Sequence, residues 1–113
     1  MKTLTLSREE KEFLDAYKTA LDERFPGLVE DIIIYGSKAR GDSGPDSDLD
    51  ILLLIREGDW RTKRRVCEPA YDLAVAVEFL PSVMVYTVAE WAKRRESGSG
   101  YQRAVERDGV SVR

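Results

Sequence analysis

Apolar residues recur at helical spacing early in the chain, where Phe13, Tyr17, Ala20, Leu21 and Phe25 line one face of a run that stops at Pro26-Gly27. Ser7 with Glu10 three residues on is a capping-box pattern, so a helix is predicted over about 8–25. The period then changes. Val29 to Tyr35 carries Ile32, Ile33 and Ile34 in succession, the β-branched composition of a strand covered on both faces, and Gly36 ends it. Ser37 to Gly41 can form a short helix, and Gly41, Asp42, Ser43, Gly44 and Pro45 supply the turn chemistry that returns the chain to the sheet. Leu49 to Ile55 is a second strand of the fully buried kind.

Asp59 caps a helix predicted to run to about Phe79, with Pro69 either kinking it or splitting it in two. Pro81 introduces a third strand over Val83 to Val88, and Thr87 caps a helix that begins near Ala89 and holds Trp91. Gly98, Ser99 and Gly100 form a joint before a short helix over Tyr101 to Arg107, after which Asp108-Gly109 turns into a small edge strand. No segment repeats and no linker separates two halves. The elements add up to one α/β (α+β) domain over residues 1–113, a small mixed sheet of three to four strands with helices packed on it.

Composition narrows the chemistry. At 113 residues, with 42% hydrophobic and 35% charged residues, the chain has the size and make-up of a globular domain. No apolar run approaches the roughly 20 residues of a membrane span, and its start carries neither a basic stretch nor an apolar signal core. A cytoplasmic protein without a membrane partner is expected. Cys67, the single cysteine, reads as a small buried hydrophobe. With no histidine, the usual general base, the Ser-His-Asp and Cys-His arrangements and zinc-histidine sites are all excluded. Chemistry here must run on carboxylates, cations and a hard metal. The net charge of -3 gives no footprint for direct nucleic-acid binding, and Arg61, Lys63, Arg64 and Arg65 read as a solvated helix face.

The segment from Gly36 to Ile51 joins two half-motifs. Gly36 ends a buried strand without a side chain, so backbone N–H groups can approach a ligand closely, and Ser37 opens a short helix whose free N–H groups suit a phosphate. The chain returns as Asp48-Leu49-Asp50, where alternation sends both carboxylates to one face. Like charges so close repel unless a cation lies between them, and Mg²⁺ takes one or two carboxylates plus substrate phosphate oxygens. The pair therefore reads as a Mg²⁺ platform facing a nucleoside triphosphate at Gly36-Ser37. Arg40 either contacts phosphate through its planar fork or pairs with Asp42, Asp46 or Asp48. Lys38 is expected in solvent, Ser47 as a brace for the loop, and Asp46 as turn chemistry.

The stretch from Tyr35 to Leu53 resembles the signature of the DNA polymerase beta superfamily of nucleotidyltransferases, Gly-Ser followed by Asp-x-Asp. Gly-Ser-Lys-Ala-Arg-Gly and Ser-Asp-Leu-Asp narrow the likeness to the minimal nucleotidyltransferases of bacteria and archaea. Val83 to Thr87 followed by Glu90-Trp91, and Tyr101-Gln102-Arg103 followed by Asp108-Gly109-Val110, resemble that family's C-terminal half. The resemblance implies a polymerase-palm-like fold, Mg²⁺ as cofactor, and transfer of AMP from ATP to a hydroxyl on a partner protein. It also implies an antitoxin whose partner is a helical HEPN-type toxin.

Active relatives supply a third carboxylate from a later strand. Here Ser82 enters at that place, and the nearest acids are Glu78, the candidate to join Asp48 and Asp50 in catalysis, and the more distant Asp72. Two functions stay open: an active transferase, and a nucleotide-binding antitoxin that acts by binding its toxin. Trp60, Trp91, Tyr101 and Val110 are either interface or core, and a second copy of the chain is a further candidate partner.

Overall fold

The computed structural model describes residue 4 and residues 6–40, 48–77 and 79–113. Helix α1 (Arg8–Arg24) begins where predicted, because Ser7 Oγ accepts from the Glu10 N–H at 3.1 Å and a Glu10 carboxylate oxygen accepts from the Ser7 N–H at 2.9 Å. A cap of this kind contributes about 1 kcal/mol. The apolar stripe of Phe13, Leu14, Tyr17 and Leu21 is buried. Strand β1 (Val29–Tyr35) leads into the single turn α2 (Ser37–Arg40), and then come β2 (Leu49–Ile55), α3 (Trp60–Ala74), β3 (Pro81–Thr87), α4 (Val88–Glu96), α5 (Gly100–Asp108) and β4 (Val110–Ser111).

The four strands form one mixed sheet in the order β3-β2-β1-β4. β1 is antiparallel to both β2 and β4, while β2 and β3 run parallel, with α3 as the crossover that parallel neighbours need. Strand alternation divides the core into two layers. On one face Ile32, Ile34, Leu49, Ile51, Leu53, Ile55 and Val83 pack with α1 and with Val66 and Ala70 of α3. On the other, Leu52 packs with Trp91 of α4 and Val105 of α5, flanked by Ile33, Tyr35, Leu54, Tyr86 and Tyr101. Cover on both faces is why Ile32 to Ile34 of β1 and Ile51 to Ile55 of β2 read as apolar runs and not as an alternation. Tyr17 ties the first layer together, its hydroxyl donating to the Val66 carbonyl at 2.6 Å.

One predicted boundary shifts, and alternatives left open at Pro69 and at the two tryptophans are narrowed. α3 ends at Ala74, short of Phe79, and the chain unwinds through tighter bonds from the Ala76 N–H to the Leu73 carbonyl and from the Val77 N–H to the Ala74 carbonyl. Pro69 is buried inside α3 without splitting it, and Arg65, whose carbonyl loses its helical donor, lies in solvent. Trp91 is 3% exposed and belongs to the core, not to an interface, whereas Trp60 is 63% exposed. Cys67 is half-buried against the first layer, where burial pushes its thiol up and keeps it protonated. Arg61, Arg64 and Arg65 are exposed as predicted, while Lys63 reaches Glu90 of α4 at 2.8 Å. Among the described residues, no helix is long and apolar enough to cross a membrane.

Candidate active site

Cross-strand register assembles the site. Tyr35 lies opposite Asp50 in the β1–β2 pairing, and Asp50 lies beside Ser82 in the β2–β3 pairing. Paired residues share a sheet face, so Tyr35, Asp50 and Ser82 form one row across three strands, on the face that carries α4 and α5. The row sits where β1 ends and β2 and β3 begin. Asp48, exposed, precedes β2 by one residue.

Gly36 closes the row from above. Its φ of 75° is left-handed, and a Cβ added there would collide with a carboxylate oxygen of Asp50. The Asp50 carboxylate thus packs directly against the Gly36 backbone, and the two half-motifs of the sequence meet at this contact. Ser37 follows at once as the first residue of α2, whose turn is closed by the Ala39 N–H donating to the Gly36 carbonyl at 3.1 Å. Glu78, Asp42, Asp46 and Ser47 lie outside the described residues, as do the side chains of Ser37 and Arg40. Asp72 is exposed on α3, as expected.

Lys38 corrects the sequence reading. It is buried, not solvated, with its Nζ 3.1 Å from Glu10 Oε2 and side chains only 10% and 4% exposed. A charge so enclosed needs a partner, and the first turn of α1 supplies one. Local pattern identifies Glu10 as a capping residue but gives no sign of this second contact, which depends on how α1 and α2 pack. The neighbours of Asp50 are equally invisible until register is known. The Tyr101 hydroxyl donates to Tyr35 Oη at 3.0 Å, and the Arg94 guanidinium lies 4.8 Å over the Tyr86 ring and 5.8 Å over that of Tyr101.

The electrostatics of these tyrosines have a measurable consequence. Burial raises Tyr17 above its ordinary value of 10.0. Burial also raises Tyr101, whose donated bond to Tyr35 adds to the effect. Tyr35 is raised by burial and by the negative Asp50, against the pull of the Tyr101 donor. In each case the folded state holds the proton more tightly than the unfolded chain. This stabilisation is complete below the ordinary tyrosine value and is lost as pH climbs past it. Stability should therefore fall as pH rises beyond about 10. Tyrosinate absorbance from these three residues should rise together with loss of the circular-dichroism signal, and early ionisation in the folded protein would contradict the burial described.

A carboxylate beside a glycine turn, with a second two residues earlier in the chain, suits a hard cation that draws its remaining ligands from substrate and water. Among the described residues no group of three or more Asp, Glu, Cys or His side chains comes together. The chemistry of the half-buried Asp50, packed against Gly36, and the exposed Asp48 fits a hard cation such as Mg²⁺ held jointly with phosphate oxygens. At the place beside Asp50 where a further carboxylate would complete the row, β3 carries Ser82.

Residues 14–97, from within α1 past the end of α4, match the family model described as the nucleotidyltransferase domain. The chain is also 30% identical over 77 residues to the "Putative protein adenylyltransferase" of Methanocaldococcus jannaschii, across 67% of this chain and 74% of that protein.

Proposed function

The chain belongs to the nucleotidyltransferase domain family and is a transferase, and on this premise we propose that it moves AMP from ATP to a hydroxyl of a partner protein, with Mg²⁺ held by Asp48 and Asp50. The observation that carries this reading is the packing of the Asp50 carboxylate against Gly36. It joins the anion-receiving turn to the cation-holding pair. Mg²⁺, when bound, neutralises phosphate charge and orients the triphosphate. The backbone at Gly36 and Ser37 receives the β- and γ-phosphates, and Arg40 is the nearby candidate for a phosphate contact.

The acceptor oxygen bonds to the α-phosphorus, the bond from that phosphorus to the bridging oxygen breaks, and pyrophosphate leaves with the electron pair. The acceptor proton passes to water or to Glu78, the candidate acid ahead of β3. A protein acceptor agrees with the name of the archaeal relative. A helical HEPN-type toxin in the cytoplasm is the partner that the sequence resemblance supports, and the exposed Trp60, with the Arg61 guanidinium 5.2 Å from its ring centre, offers it a contact.

Ser82 favours a second reading, in which the chain binds nucleotide and restrains its toxin by contact alone, with little transfer. Calorimetry with Mg²⁺ and ATP on the parent and on an Asp48→Asn/Asp50→Asn variant tests what the two readings share. Binding is expected in the parent and lost in the variant. Equal behaviour of the two proteins would discard the site altogether. Incubation with labelled ATP and a HEPN-type protein then separates them: label on the partner supports the transferase, and a stable complex without label supports the binding antitoxin.

A further inference from the structure

Glu10 lies on α1, far along the chain from the site, yet its two carboxylate oxygens do different work. Oε1 accepts from the Ser7 N–H at 2.9 Å and closes the capping box, while Oε2 lies 3.1 Å from Lys38 Nζ and makes no hydrogen bond. The Glu10 carboxylate is thus fixed in place by a helix start that forms from local sequence. Lys38 is the residue after Ser37, on a helix of four residues. One turn of helix does not hold itself together in water, because nucleation costs more than so few bonds return. Its conformation must come from outside: the Ala39 side chain is buried, and Lys38 is anchored to α1.

We propose that Glu10 is a positioning residue for the Gly36-Ser37 turn, acting through Lys38. The ion pair fixes α2 relative to α1 and so sets the height of the Gly36 and Ser37 backbone above Asp50. Lys38 is engaged with Glu10, so its contribution to phosphate binding is made through backbone placement. The inference rests on the nucleotide reading for its functional consequence, but not for its structural one.

Removing one partner would leave a lone buried charge and risk unfolding, so the decisive protein is the double variant Glu10→Gln/Lys38→Met, which leaves none. The glutamine side chain keeps an oxygen for the capping box, and the methionine keeps the bulk of the lysine stem. Two measurements are made on this variant in the full chain. Without nucleotide, exchange of the Ala39 amide, whose hydrogen bond to Gly36 closes the turn, should quicken about tenfold while amides of β1 and β2 keep their protection. With Mg²⁺ present, the dissociation constant for ATP should rise about tenfold, whereas that for AMP, which lacks the β- and γ-phosphates, should change less than about twofold.

Parental exchange at Ala39 overturns the positioning role whatever happens to ATP, because a fall in ATP affinity alone would mean that Lys38 touches phosphate directly. Faster exchange with unchanged ATP affinity overturns it as well. If the parent itself binds no ATP, the nucleotide reading fails on that result, and the exchange measurement still decides whether Glu10 holds the turn.

Discussion

Asp50→Asn is expected to reduce nucleotidyl transfer about a thousandfold or more, since the cation it is proposed to hold would supply several kcal/mol of transition-state charge stabilisation and each 1.4 kcal/mol is a factor of ten. The amide occupies nearly the carboxylate's volume, so the packing against Gly36 and the register with Tyr35 and Ser82 survive. What is removed is the charge. The tyrosines that Asp50 helps to raise are neutral at neutral pH in the folded and unfolded chain alike, so losing its charge does not act through them there, and thermal unfolding should stay within about 1 kcal/mol of the parent. Labelled AMP transferred per unit time, read beside a thermal melt, checks both halves of the expectation. A variant that transfers at the parental rate would show that Asp50 holds no metal the reaction needs. Asp48→Asn should fall in the same direction, and because Asp48 is exposed its effect on stability should be smaller still.

Much of this arrangement is legible in the chain itself, and where legibility stops has a physical cause. Elements fixed by local chemistry have nearly the edges their sequence predicts: Ser7 with Glu10 starts α1, Thr87 starts α4, and the Ile32 to Ile34 run makes β1. Gly36, Ser37, Asp48 and Asp50 stand out because the sequence carries both half-motifs next to strand ends. The end of α3 does not, since Val75 to Val77 are acceptable helix residues and only the path back to β3 stops the helix there. Lys38 is misjudged for the same reason. A lysine on one turn of helix has solvent as its default, and its burial against Glu10 depends on tertiary packing that no local spacing encodes. Trp91 and Trp60 cannot be separated by pattern either. Both sit on amphipathic helices, and only the layer formed by Leu52, Val105 and Tyr86 decides which indole is enclosed.

Replacing Gly36 with alanine should damage both the fold and the site, and the two effects can be measured apart. Alanine in the left-handed region costs about 1–2 kcal/mol, and the same strain is available elsewhere in the chain without a collision. Gly27 has φ 76°, and an added Cβ meets nothing within 4 Å there. Gly27→Ala therefore reports backbone strain alone: a modest loss of stability with transfer unchanged. Gly36→Ala carries the same strain and in addition drives a methyl group into the Asp50 carboxylate. Either the carboxylate turns away or the ends of β1 and β2 part, and both responses separate the proposed cation-holding group from the proposed anion-receiving turn. Transfer should fall about a hundredfold or more beyond the Gly27→Ala control, because misplacing a reacting group by about 1 Å already costs that much. The dissociation constant for ATP with Mg²⁺ should rise alongside. Equal behaviour of the two alanine variants would mean that Asp50 and Gly36 do not function as one unit, and the proposed site would lose the contact on which it is built.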